Sequence, residues 1–259
     1  MTLEIEQDWW KTLFDEVYLI TDARSVCDES ITRREINIIM DLLPIRPEHK
    51  ILDLCGGHGR HSIELCSRGF SGCTLVDYSK PLIDCAKQLA AERCYTIDML
   101  RADARFTGLS NECFDHVLIL GNSLGYIQLR EADHLILSEA FRLLRTGGWL
   151  LLDVTDGTAV KDTFTVRSWH EIGEDTVVCR YRELKDESVL AREMVLDKNQ
   201  GLIRDRTYAV RLYDTQKLTR LIQLRGFTQV KIHTDFSPHG TEEDYGFMNR
   251  RMIATARKP

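Results

Sequence analysis

Apolar positions along the chain change period several times, and the changes mark out elements. From Asp8 to Ile20, Trp9, Trp10, Leu13, Phe14 and Val17 recur at helical spacing, which predicts an amphipathic helix. A second helix is expected from about Ile31 to Leu43, with Ile36, Ile39, Met40 and Leu43 as its apolar stripe and Pro44 as its stop. Short apolar runs then alternate with helical segments. "KILDL", "SGCTLVD", "YTIDML", "FDHVLIL" and "WLLLDV" read as strands. "RHSIELCSRG", "SKPLIDCAKQLAAE" and "READHLILSEAFRLLRTGG" read as helices, the second with Ser79 as its N-cap and Pro81 in its first turn. Strand–helix alternation predicts an α/β fold with a parallel sheet covered on both faces.

The period switches to two after Thr158. "FTVRSWHEI", "TVVCRYREL", "VLAREMVLD" and "LIRDRTYAVRLY" are separated by the turn sequences "GED", "KDES" and "KNQG". They predict an antiparallel β-meander inserted at about residues 160–213. The helix "DTQKLTRLIQLRG" and the strands "FTQVKIHTDF" and "YGFMNRRMIATARK" close the α/β pattern. The expected organisation is an N-terminal helical lid over residues 1–45 and one domain over 46–259 that carries the insertion.

Composition narrows the classes. The chain has 259 residues and a formal net charge of −6, with no basic stripe, which counts against a nucleic-acid partner. No apolar run is long enough to span a membrane, and the acidic N-terminus is unlike a signal peptide, so a cytoplasmic location is expected. The eight cysteines include no CxxC pair and read as small packed thiols, several of them (Cys66, Cys85, Cys94, Cys113) within apolar-periodic segments. No metal site is expected, because His170, His233 and His239 lack ligand spacing. An exposed edge of the meander would allow a homodimer.

The candidate chemistry lies in "ILDLCGGHGRH", residues 51–61. A strand ends in an acid, Asp53, and Gly56, Gly57 and Gly59 follow within four positions. Glycines at the carboxyl end of a first strand permit a tight turn and close backbone approach of a cofactor, and the helix that starts near Arg60 aims its N-terminus at it. Asp77 ends the second strand 20 residues after Gly57, where an acid can bind ribose hydroxyls. A dinucleotide is disfavoured on two counts. Asp53 would repel a pyrophosphate, and Gly57-x-Gly59-x-x-Ser62 lacks the third glycine. S-adenosylmethionine has no phosphate and suits the loop better.

Here the chain resembles a known family. "ILDLCGGHGRH", "LVDYS", "RADAR", "FDHVLILGNSLGY" and "LLRTGGWLLLD" are similar to the motifs of class I S-adenosylmethionine-dependent methyltransferases, over roughly Lys50 to Asp156 and the closing helix–strand–strand. The resemblance implies a Rossmann-like, seven-stranded, mostly parallel sheet and S-adenosyl-L-methionine as cofactor. It implies that Asp53, Cys55, Gly56, Gly57, Gly59 and Arg60 border the cofactor, the glycines along its methionine portion. Asp77 would take the ribose hydroxyls, Tyr78 would pack on the adenine, and Asp103 and Ala104 would hold its edge. Gly121 and Asn122 would lie beside the sulfonium, and Arg24, Thr32 and Arg33 are candidates for the carboxylate tail. His58 departs from the family, which has a smaller residue there.

Tyr18, in a segment similar to family lids, and Tyr126, in "GNSLGY", are candidates for the reaction centre, and each also has an ordinary packing role open to it. His170 would be a base if the meander covers the pocket. The absence of an Asn/Asp-Pro-Pro-aromatic motif after strand four counts against base methylation. The expected activity is methyl transfer to a nitrogen or oxygen of a small-molecule metabolite. Methylation of protein or RNA, a non-catalytic S-adenosylmethionine-binding module and an NAD-dependent oxidoreductase are the rivals.

Overall fold

The computed structural model describes residues 3–22, 26–236 and 250–259. Arg24, His239 and the start of the expected last strand lie outside the described residues. The core sheet consists of β1 (Ile51–Leu54), β2 (Cys73–Asp77), β3 (Asp98–Arg101), β4 (Phe114–Ile119), β5 (Leu144–Thr155), β10 (Thr228–Phe236) and β11 (Arg251–Arg257). Its seven strands run in the order β10-β11-β5-β4-β1-β2-β3, and β11 pairs antiparallel with both its neighbours.

Strand alternation sorts side chains onto two cores. Leu52 and Leu54 of β1 pack on one face with Leu150, Leu152, Ile136 and Leu218. Ile51 packs on the other with Ile36, Ile39 and Leu65. Both faces are covered, as a parallel sheet requires. Helices α2 (Glu29–Leu42) and α3 (Arg60–Ser67) thus lie on one side, and α5 (Glu131–Leu143) and α7 (Thr215–Gln223) on the other. Helix α4 (Lys80–Glu92) follows β2 and starts as expected, with the Ser79 hydroxyl accepting from the Leu82 N–H.

The meander is a separate sheet of β6 (Arg167–Ile172), β7 (Thr176–Lys185), β8 (Ser188–Asp197) and β9 (Gly201–Arg211), every neighbouring pair antiparallel. It leaves β5 through the short helix α6 (Gly157–Asp162). It is pinned over the carboxyl ends of the core strands by the Arg211 N–H bond to the Gly125 carbonyl (2.9 Å) and by the Arg211–Asp133 ion pair. A Cβ on Gly125 would sit 2.7 Å from the Arg211 carbonyl, so this crossing needs a glycine.

Three expectations need correction. The helix expected over Asp8–Ile20 is two pieces, a 3₁₀ turn Trp9–Lys11 and α1 (Glu16–Thr21). Asp15 breaks the run, because its carboxylate caps α1 by accepting from the Tyr18 N–H (3.1 Å). The helix expected to run to Gly148 ends at Leu143. Leu144 already has extended backbone and starts β5, with Gly147 at φ +81° inside the strand. Of the cysteines singled out above, Cys94 is exposed and Cys66, Cys85 and Cys113 are half-buried, while Cys73 is buried. No helix of the described residues is long and apolar enough to cross a membrane.

Candidate active site

The sheet reverses its winding at β1, between β4 and β2, and the crevice of an open α/β sheet lies at the carboxyl ends there. A cavity of about 220 Å³ occupies that place. The loop after β1 forms its floor. The Cys55 and Gly56 N–H groups both donate to the Val76 carbonyl, which ties the loop to β2. A Cβ on Gly56 would lie 2.7 Å from the Asp53 carboxyl carbon, and Gly59 caps α3 at φ +78°. Packing beneath the loop therefore leaves no room for a side chain at 56 or 59, and Gly56 and Gly57 line the cavity alongside Cys55 and His58. Asp53 itself is buried beneath the loop. One oxygen accepts from the Ser62 hydroxyl (2.8 Å), and the other, Oδ1, has no partner among the described residues.

Asp77 fastens both sides of the floor. Its Oδ2 accepts from the Gly57 N–H and its Oδ1 from the Ser79 N–H, each at 2.8 Å. Part of the carboxylate faces the cavity, yet protein surrounds it. Burial pushes its pKa up to about 6, and the two backbone donors oppose the shift. Next to it, the ring of Tyr78 meets Trp10 edge-on at 4.9 Å and lies under the Arg101 guanidinium at 5.5 Å. Ala104 and Asp103 also line the cavity, but Asp103 is engaged by Arg105 (2.6 Å). Burial raises the Asp103 pKa, and the side-chain and backbone hydrogen bonds from Arg105, with its charge, together more than offset it.

The opposite side combines the N-terminal segment with the meander. Trp9 and Leu13 pack on Ala191, Tyr208 and Val210 of the meander, and the Ser79 hydroxyl donates to the Phe14 carbonyl across the cavity mouth. Tyr18 and Tyr126 both line the cavity, as expected, and Tyr208 joins them. Burial raises all three phenols, Tyr208 to about 12, so they remain protonated and act as donors, not bases. Gly121 lines the cavity. Asn122 lies just behind it and brackets β4 to β5, donating from its N–H to Asp153 and accepting from the Thr155 N–H. Its side-chain Nδ2 has no partner among the described residues.

Several expected residues do not line the cavity: Asp53, Gly59 and Asn122 are absent from its wall, Thr32 accepts from Arg60, and His170 and Arg33 are elsewhere. His170 lies on β6, the meander edge strand opposite β9, beside Val178, and does not line the cavity, because the strands facing it are β7, β8 and β9. Arg33 points to solvent from α2 and pairs with Glu29 (3.6 Å). The guanidiniums that reach the cavity near the loop are Arg60 and Arg251. Both bind Glu35, which also meets His61 Nε2 at 2.9 Å, and Arg251 continues to Asp153 at 2.5 Å. Burial raises the Glu35 pKa, but Arg60 and Arg251 outweigh it and hold the carboxyl well below its ordinary range.

Glu35, Arg251 and the charged inner face of the meander (Arg180, Arg182, Glu193, Arg204) escaped the sequence reading. The available signal was Glu193, which shares its alternating face with Val189, Ala191 and Val195.

The chemistry of this floor suits S-adenosylmethionine. Asp53 Oδ1 lies beneath the loop rather than on the cavity wall, so Asp53 acts on a ligand there as a buried negative charge rather than as a contact. Arg251 lines the cavity, and its Nε, without a partner among the described residues, suits an acceptor such as a carboxylate. A buried acid under the loop opposes a pyrophosphate.

Comparison with known proteins agrees. A family model described as a methyltransferase domain matches residues 51–148. A Bacillus subtilis protein with a methyltransferase name, YqeM, is 26% identical over 214 residues, which span 81% of this chain and 84% of that protein. The glycine/sarcosine N-methyltransferase of Aphanothece halophytica is 25% identical over 213 residues, 76% of this chain and 73% of its own length. The crystal structure of an S-adenosylmethionine-dependent methyltransferase from Clostridium acetobutylicum superposes with a TM-score of 0.73 at 13% identity, covering 93% of this chain and 96% of that one. At that identity the likeness is one of fold.

Proposed function

We propose that this chain, whose residues 51–148 match a methyltransferase-domain model, is a class I S-adenosylmethionine-dependent methyltransferase that methylates a nitrogen or oxygen of a small-molecule metabolite. The observation that carries the proposal is the shared cavity. One cavity, open to solvent at its mouth, is lined by the glycine loop with Asp77 and by the N-terminal segment and the meander. An acceptor must fit between these walls, which suits a metabolite better than a folded macromolecule. The relative from Aphanothece halophytica, named for N-methylation of glycine and sarcosine, points the same way.

In this reading Gly56, Gly57 and Gly59 lie along the methionine portion, and Asp53 and Arg60 serve its charged tail. Asp77 accepts from the ribose hydroxyls, and Tyr78 packs on the adenine. Bound S-adenosylmethionine supplies a methyl group on a sulfonium, an electrophile that needs no acid activation. The chain's own task is to position and to dehydrate. Trp9, Leu13 and Phe14 keep water out, and the protonated Tyr18, Tyr126 and Tyr208 orient the acceptor by donating to it. No phenol here can serve as a base, which favours an amine with its own lone pair over a hydroxyl.

The test measures S-adenosylhomocysteine release with fractions of a cell extract. Turnover is expected with the low-mass fraction and not with the protein or RNA fractions. Turnover confined to a macromolecular fraction would overturn the reading.

A pH dependence follows from Asp77. Only the ionised carboxylate accepts from both backbone donors and the ribose hydroxyls together. Affinity for S-adenosylhomocysteine is therefore expected to be about tenfold lower at one unit below the Asp77 pKa than on the plateau above it. The sign for stability is opposite. The folded pKa of about 6 exceeds the ordinary 3.8, so this group's contribution to unliganded stability is full below pH 3.8 and lost as pH rises through 6. Calorimetric titrations between about pH 5 and 8 check this. Asp77→Asn should flatten the profile.

A further inference from the structure

The N-terminal segment and the meander meet along a row of buried charges. Glu193 sits in the middle of β8 on the cavity side and is 3% exposed. Each of its oxygens takes one guanidinium. Oε2 accepts from Arg180 Nε on β7 (2.7 Å), and Oε1 from Arg204 Nη1 on β9 (3.2 Å). A buried carboxylate is costly unless it is paired in this way, and the two guanidiniums would repel each other without it.

Both guanidiniums reach past Glu193 to the segment over the cavity. Arg204 Nη2 donates to the Leu13 carbonyl (3.1 Å) and to the Asp15 carboxylate. Arg180 pairs with Asp22 at 3.3 Å. Asp15 and Asp22 are the two caps of α1, so one buried acid grips a six-residue helix by both ends. A helix this short does not persist alone in water, and Thr21 is its one buried residue. The acid at its C-terminal end also opposes the helix dipole, which Arg180 offsets. Between the two ends stands Tyr18. The Asp15 oxygen that meets Arg204 also accepts from the Tyr18 N–H (3.1 Å), and Tyr18 lines the cavity.

We propose that Glu193 is a positioning residue for methyl transfer. It acts through Arg204 and Arg180, which fix the two ends of α1 and so hold Tyr18 against the bound reactants. The proposal rests on the methyltransferase reading above and adds the device that sets one wall of its site.

The test follows amide hydrogen exchange by mass spectrometry in the full chain, together with the release rate of S-adenosylhomocysteine. In Glu193→Gln the side-chain NH2 faces one of the guanidiniums, so one arm must let go. Exchange over residues 15–22 is expected to rise at least about tenfold, with β5 and β8 unchanged. S-adenosylhomocysteine should leave about tenfold faster. Arg204→Met removes the arm at Asp15 and should act in the same direction.

Salt supplies a second readout. The Asp22 and Asp15 side chains are 32% and 34% exposed, so ions reach the outer half of the clamp. Raising salt from about 0.05 to about 0.5 M should speed release from the wild type several-fold and from Glu193→Gln hardly at all. Glu193→Asp keeps the charge and should restore part of that response. A purely structural role for Glu193 would not move it. The control is Arg192→Gln, which breaks the exposed Arg192–Asp205 pair between β8 and β9 and should alter nothing. The wild-type salt response needs no variant, so a misfolded variant does not rescue the proposal. Unchanged exchange over residues 15–22, exchange that rises equally in β5 and β8, or wild-type release that ignores salt would overturn it. If S-adenosylhomocysteine binds but its release is the same in every variant, this proposal fails and the methyltransferase reading stands. If S-adenosylhomocysteine does not bind at all, both fail.

Discussion

Glu35→Ala is expected to lower the unfolding free energy by about 3–5 kcal/mol, the usual consequence of breaking a buried ion network from one side. Glu35 is the shared acceptor for Arg60, His61 and Arg251, and it joins α2 to the start of α3 and to β11. Arg251 is 2% exposed and would keep Asp153 as its one anion among the described residues. Two guanidiniums would then lie in a dry site with too few anions. A loss of that size is a large share of a typical domain's stability. Glu35→Gln keeps the shape and one acceptor oxygen and should fall between. The exposed pair Glu29–Arg33 on the same helix is the comparison, and Glu29→Ala should cost less than about 1 kcal/mol. Denaturant unfolding of the three variants checks the ranking. A loss below about 1 kcal/mol for Glu35→Ala would show that the network is solvated and holds nothing together. The low pKa of Glu35 gives the accompanying sign. Its contribution is present above the ordinary carboxyl range and lost as pH falls through the folded value.

Asp77→Ala is expected to weaken S-adenosylhomocysteine binding by about 100-fold or more, which is what two lost charge-assisted hydrogen bonds amount to. The effect has two parts. The carboxylate offers lone pairs to the ligand, and it also holds the Gly57 and Ser79 N–H groups, so the loop and the start of α4 share one anchor. Asp77→Asn separates the parts. Its amide nitrogen would face one of those backbone donors, so the loop loses half its anchor even though the side chain keeps its shape. Asn should therefore bind almost as poorly as Ala. If Asn bound like the wild type, the charge would be irrelevant, and the ribose would have to lie elsewhere.

The sheet was legible because buried parallel strands leave continuous apolar runs, and "ILDL", "CTLVD" and "FDHVLI" stand where the runs predicted. The cofactor floor was legible for a different reason. Close backbone approach demands glycines, and a diol demands an acid at a fixed distance along the chain. The N-terminal segment was not legible, because Trp9, Leu13 and Phe14 mimic one helical face. In the folded chain they reach into a cavity from irregular backbone, and only Asp15, as an N-cap, hinted at the break. The cavity-facing side of the meander was hidden by the charges on it. A strand such as "VLAREMVLD" looks solvent-facing at every charged position, but Glu193 is 3% exposed and faces inward with Ala191. Nothing in the sequence says which meander strands cover the pocket, and β6, which carries His170, does not reach it, whereas β7, β8 and β9 do. Glu35 and Arg251 lie 216 residues apart, and no local pattern pairs them.

The central claim is that the cavity over "DLCGGHGRH" is built for S-adenosylmethionine, and titration calorimetry of the wild-type chain tests it most directly. S-adenosylmethionine and S-adenosylhomocysteine should each bind one per chain, while NAD should not bind, because Asp53 beneath the loop repels its pyrophosphate. Binding of NAD in place of the other two would contradict the account from the glycine loop upward.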